Sequence, residues 1–294
     1  MGRYISKRVV ITVATIFAAF ALIFFTLSAV SASRYGALIP GDNSSKGAIG
    51  QFFSYIGGFF SGRMGTSIQT SRPVAEIIGD SIGVSVLLWL LTGLAALVLG
   101  LLTGAAAAKF HGMVIDRIMT VLTYIFMAVP CFVLATYLLF FFCLKLKWFD
   151  AWTVSSPSFF LPVISLAAYP LAHIASVTRT AMLDTLTQDY IRAARVLGIR
   201  ESKVVFVYAL RNASLPAISY IGRMFAYIIS GSLVVERIFS MGGIGSHYIT
   251  AIIDHDYPLV LGITMCLAVF IMMINFLCDI LYRAVNPRLR RSEK

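Results

Sequence analysis

The residues of this chain that could bind a ligand or move a proton are few and widely spaced. Asp254-His255-Asp256 has side chains that bind metal ions, but three adjacent loop residues converge poorly on one point. Four cysteines lie within or beside apolar runs, at Cys131, Cys143, Cys266 and Cys278. They form no CxxC pair, and no GxxxxGK[ST] sequence is present to hold phosphates. We therefore predict no catalytic, metal or cofactor site, and packing roles for the cysteines.

Two polar residues stand out because they interrupt apolar runs. His173 lies in a run with Pro162 and Pro170, and it could hydrogen-bond a neighbouring helix or bind a ligand. Arg223 lies roughly 10 Å along a helix that starts near Pro216, at 1.5 Å per residue. Its guanidinium could reach the membrane surface, or it could line a path and meet a carboxylate or backbone carbonyl. Both alternatives stay open for each residue.

The elements that position these residues are predicted to be membrane helices. Of the 294 residues 59% are hydrophobic and 13% are charged, whereas about a quarter of a soluble domain is charged. The first apolar run could instead be a cleavable signal peptide, because small residues follow it, but its length favours a retained span. Six runs are long enough to cross a bilayer, at residues 9–30, 81–108, 118–144, 151–178, 212–235 and 257–282.

The charge distribution predicts how these spans are oriented. The loops on one side carry sixteen Lys and Arg residues, and the loops on the other side carry seven. The positive-inside rule then places both termini in the cytoplasm. The net charge of +11 is explained by these loops next to anionic lipid, so we predict no nucleic-acid partner.

The predicted spans divide the chain into four parts. Residues 1–30 are the cytoplasmic N-terminus and first span, and residues 31–80 are extracytoplasmic. Residues 81–282 are a five-helix core with a cytoplasmic loop at 179–215, and residues 283–294 are a cytoplasmic tail. In the extracytoplasmic part, Pro40-Gly41-Asp42 predicts a turn, and the aromatic stretch 52–60 predicts either an interfacial belt or a ligand platform. Ser71-Arg72-Pro73 is typical of a helix start.

The cytoplasmic loop contains its own helical pattern. Apolar side chains fall on one face of a short helix, at Tyr190, Ile191, Ala194 and Leu197. Asp189 favours the start of this helix, and Gly198 can supply a left-handed residue that ends it. A second helix is predicted from Glu201 toward Ala213. Such a loop could lie on the membrane surface, or it could fit a groove on another protein.

Several motifs resemble one transporter family. Arg192-Ala193-Ala194-x-x-x-Gly198, followed by Leu215-Pro216, resembles the EAA loop of ABC importer permeases. The resemblance extends along nearly the whole chain to B-type subunits of dipeptide and oligopeptide permeases. Its other parts are Arg3-Tyr4-Ile5-x-x-Arg8, Gly65-Thr66-Ser67 with Arg72-Pro73-Val74, Asp189-Tyr190-Ile191-Arg192 with 209–213, 235–239 with 242–245, Asp256-Tyr257-Pro258, and 279–282 with Asn286-Pro287-Arg288.

The resemblance implies a fold and a function. It implies an all-α integral membrane protein with six transmembrane helices, the type I ABC importer permease fold, in a bacterial inner or plasma membrane. It implies that a second, C-type permease subunit completes a translocation pathway for di- or oligopeptides. Two ATP-binding subunits would use ATP and Mg, and an extracytoplasmic solute-binding protein would deliver the cargo. The same machinery could import nickel chelates, glutathione or another small solute.

Two other classes of transporter fit the residues less well. An ion-coupled secondary transporter usually carries acidic groups near the middle of its spans, and no Asp or Glu lies near the centre of a predicted span. A channel is disfavoured because no carbonyl-filter motif is present.

The resemblance and the positions of the residues together give the expected site residues. The ATPase-coupling residues are Asp189, Tyr190, Ile191, Arg192, Ala193, Ala194, Arg195 and Gly198. Translocation-path or gate candidates are Arg223, His173, Glu236, Met241, Gly242, Gly243 and Gly245. The glycines of this last group could equally form only a flexible turn. The chain departs from the family at Arg192, where the general pattern has glutamate, at the shorter stretch 41–64, and at Arg223, where relatives usually have a small or apolar residue.

Overall fold

The computed structural model describes residues 2–35, 47–150, 152–153 and 158–285. The predicted turn at Pro40-Gly41-Asp42 and the motif Asn286-Pro287-Arg288 lie outside these residues. The regular secondary structure of the described residues is helical, apart from one isolated bridge between Thr66 and Pro73, and the helices are joined by turns and short loops. Its α-helices are α1 (Gly2–Tyr35), α2 (Ala48–Phe60), α3 (Val74–Lys109), α4 (Val114–Ala128), α5 (Cys131–Leu138), α6 (Phe160–Leu186), α7 (Asp189–Val196), α8 (Glu201–Lys203), α9 (Leu210–Ala213), α10 (Leu215–Ile238), α11 (Ile244–Ile253) and α12 (Tyr257–Val285).

Five helices of the described residues are long and apolar enough to cross a membrane: α1, α3, α6, α10 and α12. Each contains most of one predicted span. Apolar runs of this length form helices in a bilayer because the lipid offers no hydrogen-bond partner for an exposed backbone. The structure thus confirms five of the six predicted spans as single helices, although α6 begins at Phe160, later than the predicted residue 151.

The predicted single helix over residues 118–144 is wrong. Here α4 and α5 meet at a bend of 100°. Pro130 has no N–H to continue the hydrogen-bond ladder, and it favours extended backbone at Val129, whose φ and ψ are −85° and 119°. A π-helical segment, Leu139–Lys145, follows α5 directly. This region is therefore a broken span or a re-entrant segment, and α5 packs against α6 and α10.

The helices form two compact units, Met1–Leu87 with Ser240–Phe276, and Leu88–Phe239 with Leu277–Lys294. The core of the first unit is aromatic. Phe52, Tyr55 and Phe59 of α2 are buried against α1 and α12. The rings of Phe20 and Phe59 meet edge to face with centroids 5.2 Å apart, a favoured aromatic geometry. The predicted belt at 52–60 is thus only partly at the surface, since helical spacing turns three of its five aromatic rings inward.

A buried carboxylate connects two segments of the first unit. Asp256, 1% exposed, precedes α12 and accepts a hydrogen bond from the Ser67 hydroxyl. It also accepts the N–H groups of Ile68 at 3.1 Å and Gln69 at 3.5 Å. The backbone N–H of Leu259 lies 3.4 Å from the same carboxylate, so Asp256 caps α12 as well. The motif Asp256-Tyr257-Pro258 thus forms the start of α12, and the carboxylate of Asp256 also fixes the turn at 67–70.

In the second unit, α3 and α6 approach closely at two glycines. A Cβ atom built on Gly100 would lie 2.8 Å from the side chain of Ile174. A Cβ atom built on Gly104 would lie 2.5 Å from the carbonyl oxygen of Ala175. Glycine and other small residues four positions apart allow membrane helices to pack at short distances, where dispersion attraction is strongest. This contact positions the C-terminal parts of α3 and α6, and the predicted coupling loop follows α6.

Candidate coupling helix and polar membrane residues

The predicted coupling residues form a short helix, α7, that is attached through one side. Ile191 is fully buried and Ala194 is 6% exposed. Both pack into a cluster with Ala105 and Ala108 of α3 and Met182 of α6. The rest of the cluster comes from the segment that follows α7: Val204, Val205, Ala209 and Ala213. The sequence therefore predicted the helix and placed Ile191 and Ala194 on its apolar face, and the structure shows that this part of the face packs on the ends of α3 and α6.

The other two residues of the predicted apolar face point outward. Leu197 is 79% exposed, because α7 ends one residue before it and the chain turns there. Tyr190 is 42% exposed, and its hydroxyl accepts a hydrogen bond from Asn212 Nδ2 at 2.8 Å. Val196 is 87% exposed. Val196 and Leu197 thus form an exposed apolar tip at the C-terminal end of α7, and Tyr190 lies in the first turn of the helix.

Gly198 ends α7 as predicted. Its φ is +73°, in the left-handed region that glycine adopts without strain. The N–H of Ile199 donates to the carbonyl of Ala194 at 3.2 Å, and the N–H of Gly198 donates to that of Arg195 at 3.0 Å. These two bonds are the Schellman arrangement, which satisfies carbonyl groups at a helix end.

The second predicted helix of this loop is present but irregular. It consists of α8, a π-helical segment Val204–Ala209, and α9. An ion pair connects it to α7, since Arg195 donates to the Glu201 carboxylate at 2.9 and 3.2 Å. The hydrogen bonds from Arg195 are the main reason that the pKa of Glu201 is lowered from its usual value. Arg192 and Asp189 are exposed on the side of α7 that is opposite the buried residues Ile191 and Ala194.

An ion pair that sequence reasoning missed lies at the base of the same loop. Arg179 of α6 donates from Nε and Nη2 to the two carboxylate oxygens of Asp116, both at 2.7 Å. Asp116 also accepts the N–H of Gly112 at 3.1 Å, and His111 Nδ1 lies 3.2 Å away. The Asp116 side chain is 6% exposed. Because 63 residues separate the pair, no local spacing in the sequence connects them.

Arg223 and His173, predicted as separate path candidates, meet at one aromatic ring. The imidazole of His173 on α6 lies 4.1 Å from the Tyr220 ring, between centroids. The guanidinium carbon of Arg223 lies 5.5 Å from the same ring centroid, within cation–π range. Beside them, Tyr169 and Tyr227 pack with centroids 4.7 Å apart. The structure therefore assembles a polar aromatic cluster between α6 and α10.

The remaining gate candidates lie around the end of α10 and the start of α11. Glu236 is fully buried. Met241 is fully buried, and Gly242 has φ +64°, which glycine favours. Gly243 and Gly245 are buried as well. The turn is held in place because Ile244 N–H donates to the Ser85 hydroxyl at 2.8 Å.

The segment Asp254-His255-Asp256 and the four cysteines do not form a set of metal ligands. Within the described residues, no three side chains of the metal-binding types gather at one point. Asp256 is already engaged by Ser67 and by backbone N–H groups. The four cysteines carry free thiols and are partly buried, less so than predicted for core residues.

Comparison with known proteins gives the context for these features. Residues 96–291 match the family described as binding-protein-dependent transport system inner membrane component. The chain is 33% identical to the dipeptide transport system permease protein DppB of Lactococcus lactis subsp. cremoris, over 99% of this chain and all of that protein. It is 35% identical to DppB of Bacillus subtilis over 83% of this chain and 80% of that protein.

Another relative is named for a different cargo. The glutathione transport system permease protein GsiC of Salmonella choleraesuis is 32% identical, over 82% of this chain and 79% of that protein. Among solved structures, an inward-facing MetNI methionine ABC transporter contains a chain that matches with a TM-score of 0.61. That match covers 74% of this chain and all of the other, at 18% identity. It confirms the predicted importer-permease fold.

Proposed function

The chain belongs to the family of binding-protein-dependent transport system inner membrane components, and on that premise we propose that it imports di- or oligopeptides. In this proposal the chain is one permease subunit, and a second, C-type permease subunit completes the pathway. Two ATP-binding subunits hydrolyse ATP with Mg, and an extracytoplasmic solute-binding protein delivers the peptide. The chain itself is the membrane component and performs no hydrolysis.

The observation that carries the peptide cargo is the likeness to dipeptide permeases over the whole chain. One such relative aligns over 99% of the chain, so the likeness includes all the predicted spans and the coupling loop. The glutathione permease relative supports the same cargo class, because glutathione is itself a short peptide. A common chemical feature of these cargoes is a peptide backbone with a free carboxylate.

The geometry of α7 supports its proposed role as the ATPase-coupling helix. Its exposed tip of Val196 and Leu197 is apolar, although the charge distribution predicts that the loop lies in the cytoplasm. Exposed apolar groups of this kind favour a protein partner with a matching groove. The exposed polar residues Arg192 and Asp189 would lie at the rim of the same contact.

The attachment of α7 supports transmission of movement from that partner. Ile191 and Ala194 pack on α3 and α6, and close-packed contacts transmit displacement because they resist compression. Movement of α7 would therefore carry the ends of α3 and α6 with it. The Asp116–Arg179 pair would pass part of that movement to α4. Alternating access follows if these helices shift together while ATP binds and is hydrolysed.

The remaining parts of the chain have proposed places in this scheme. We propose that residues 31–80 are extracytoplasmic and contribute to contact with the solute-binding protein, and that residues 283–294 are a cytoplasmic tail. Met241, Gly242, Gly243 and Gly245 would form an external gate or receptor-facing turn. Residues 81–282 would form the permease core.

Reconstitution tests the proposed function. The tagged chain is purified in mild detergent from its host, the co-purifying proteins are identified, and the complex is placed in proteoliposomes. We expect a second permease and two ATPases, and uptake of radiolabelled trialanine that requires both ATP and the binding protein. Recovery of the chain alone, with uptake that persists without ATP, would contradict the proposal.

A further inference from the structure

One face of α10 is both exposed and polar. At 100° per residue, positions 216, 219, 223, 230, 234 and 237 fall on one side of the helix. All six are exposed, and four of them are polar: Ser219, Arg223, Ser230 and Arg237. The residues on the opposite side include Met224, Ile228 and Val235, which are buried. The polar side of α10 therefore faces away from the rest of this chain.

Lipid is a poor neighbour for this face. A charged side chain within the hydrocarbon region costs several kcal/mol, so such residues normally face a protein interior or a water-filled cavity. The exposed side of α3 in the same unit shows the contrast, because it carries Leu90, Leu94, Val98 and Leu102. Of the five long apolar helices, α10 contains the least hydrophobic window. The polar face thus indicates contact with water, with cargo or with another subunit.

Arg223 is positioned rather than free to extend in any direction. It lies eight residues after Leu215, about 12 Å along the helix. The Tyr220 ring lies beneath its guanidinium, and Tyr220 is in turn packed against His173. Among the described residues, no carboxylate lies within ion-pair distance of Arg223. The guanidinium of Arg223 is therefore held over the Tyr220 ring, and it can still bind an anion.

We propose that the polar face of α10 lines the aqueous translocation path, and that Arg223 binds the carboxylate of the peptide as it passes. A guanidinium suits this role because it can form two parallel hydrogen bonds to one carboxylate. This inference rests on the proposed function and adds a substrate-contacting residue to it.

A cargo comparison tests the role of Arg223. Uptake of trialanine and of trialanine amide is measured in proteoliposomes that contain the whole complex, and each variant is normalised to the wild type for each cargo. This normalisation cancels any preference of the binding protein for one cargo. For Arg223→Gln we expect trialanine uptake to fall about tenfold more than amide uptake, the size of one lost charge-assisted interaction.

Two further variants make the comparison specific. Arg223→Lys keeps the positive charge and is expected to restore part of the preference for the free carboxylate. Arg117→Gln, an exposed arginine on α4, is the matched control and is expected to leave both cargoes unchanged. An equal fall for both cargoes in Arg223→Gln, in a complex that still assembles, would overturn the role of Arg223.

Cysteine labelling tests the path without reference to cargo. In a background that lacks the four native cysteines, single cysteines are placed at Ser219, Arg223 and Ser230, and at Leu90 and Leu94 of α3 as lipid-facing controls. A water-soluble, membrane-impermeant thiol reagent is expected to label the α10 positions at least tenfold faster than the controls, and bound trialanine is expected to slow labelling.

The outcomes separate the two proposals. If the wild-type complex shows no ATP-dependent uptake, the proposed function fails, whatever the labelling shows. If the wild type imports trialanine but the α10 positions react as slowly as Leu90, the face meets lipid or a partner subunit and the inference fails. Rapid labelling that trialanine does not slow would also contradict cargo binding at this face.

Discussion

The two nitrogens Nε and Nη2 of Arg179 meet the two carboxylate oxygens of Asp116, each at 2.7 Å. This pair joins the last turns of α6 to the first turn of α4, next to the loop that carries α7. The Asp116 side chain is 6% exposed and that of Arg179 is 24% exposed. Because both charges are largely removed from water, the pair matters most when one member is lost.

The first prediction concerns this ion pair. Asp116→Asn leaves Arg179 without its counter-charge, and Arg179→Gln leaves a buried carboxylate unpaired. Each single variant is expected to lose about 3 kcal/mol of stability, measured by thermal unfolding of the purified complex. The double variant Asp116→Asn/Arg179→Gln buries no charge and is expected to lose less than the sum.

Matched substitutions elsewhere control for the change of residue type. Asp184→Asn on α6 and Arg117→Gln on α4 alter exposed residues, and both are expected to unfold within about 0.5 kcal/mol of the wild type. A double variant whose loss equals the sum of the single losses would show that the pair has no interaction energy.

The second prediction concerns the contact between α3 and α6. Gly104→Ala places a Cβ atom 2.5 Å from the carbonyl oxygen of Ala175, so the two helices must separate. We expect a loss of about 1–3 kcal/mol, as for other overpacked sites. Gly79→Ala on the same helix is the control, since nothing lies within 4 Å of its added atom. It is expected to be neutral or slightly stabilising, because alanine favours helix. Equal melting temperatures for the two variants would contradict the close contact.

The third prediction concerns the exposed tip of α7. Leu197→Glu is expected to leave the permease folded, because the side chain is 79% exposed, but to reduce recovery of the ATPase subunits at least tenfold. The reason is that a charge would be buried in an apolar contact. Ile253→Glu changes an apolar residue of α11, 63% exposed, and is expected to leave recovery unchanged. Normal co-purification of the ATPases with Leu197→Glu would argue against docking through the tip.

The fourth prediction concerns the turn at 67–70. Asp256→Asn replaces a charged acceptor of the Ser67 hydroxyl and of the Ile68 N–H with a neutral amide. Hydrogen exchange at Ile68 is expected to accelerate about tenfold, since about 1.4 kcal/mol of local stability is lost. Asp254 is the control residue, because its hydrogen bond to Gln69 is made by its backbone carbonyl and not by its side chain. Asp254→Asn is expected to leave exchange unchanged, and similar rates in both variants would contradict the role of Asp256.

By itself, the sequence determined the features that depend on local pattern. The length of the apolar runs determined five spans, because a bilayer requires a continuous helix of that length. The period of apolar residues and Gly198 determined α7 and its end. The order of the motifs pointed to the family. The burial of Ile191 and Ala194 also followed from spacing, since residues three apart share a helix face.

Only the tertiary structure decided the features that depend on contacts between helices. A proline in a membrane helix often causes only a mild kink, so the sequence alone does not predict the 100° bend at Pro130. The angle accompanies the packing of α5 against α6 and α10. The pairing of Asp116 with Arg179, and of His173 with Tyr220, joins residues far apart in the chain. The exposure of the polar side of α10 depends on which neighbours cover the other side. The physical reason is the same throughout: a helix's period fixes which residues share a face, but packing decides what that face meets.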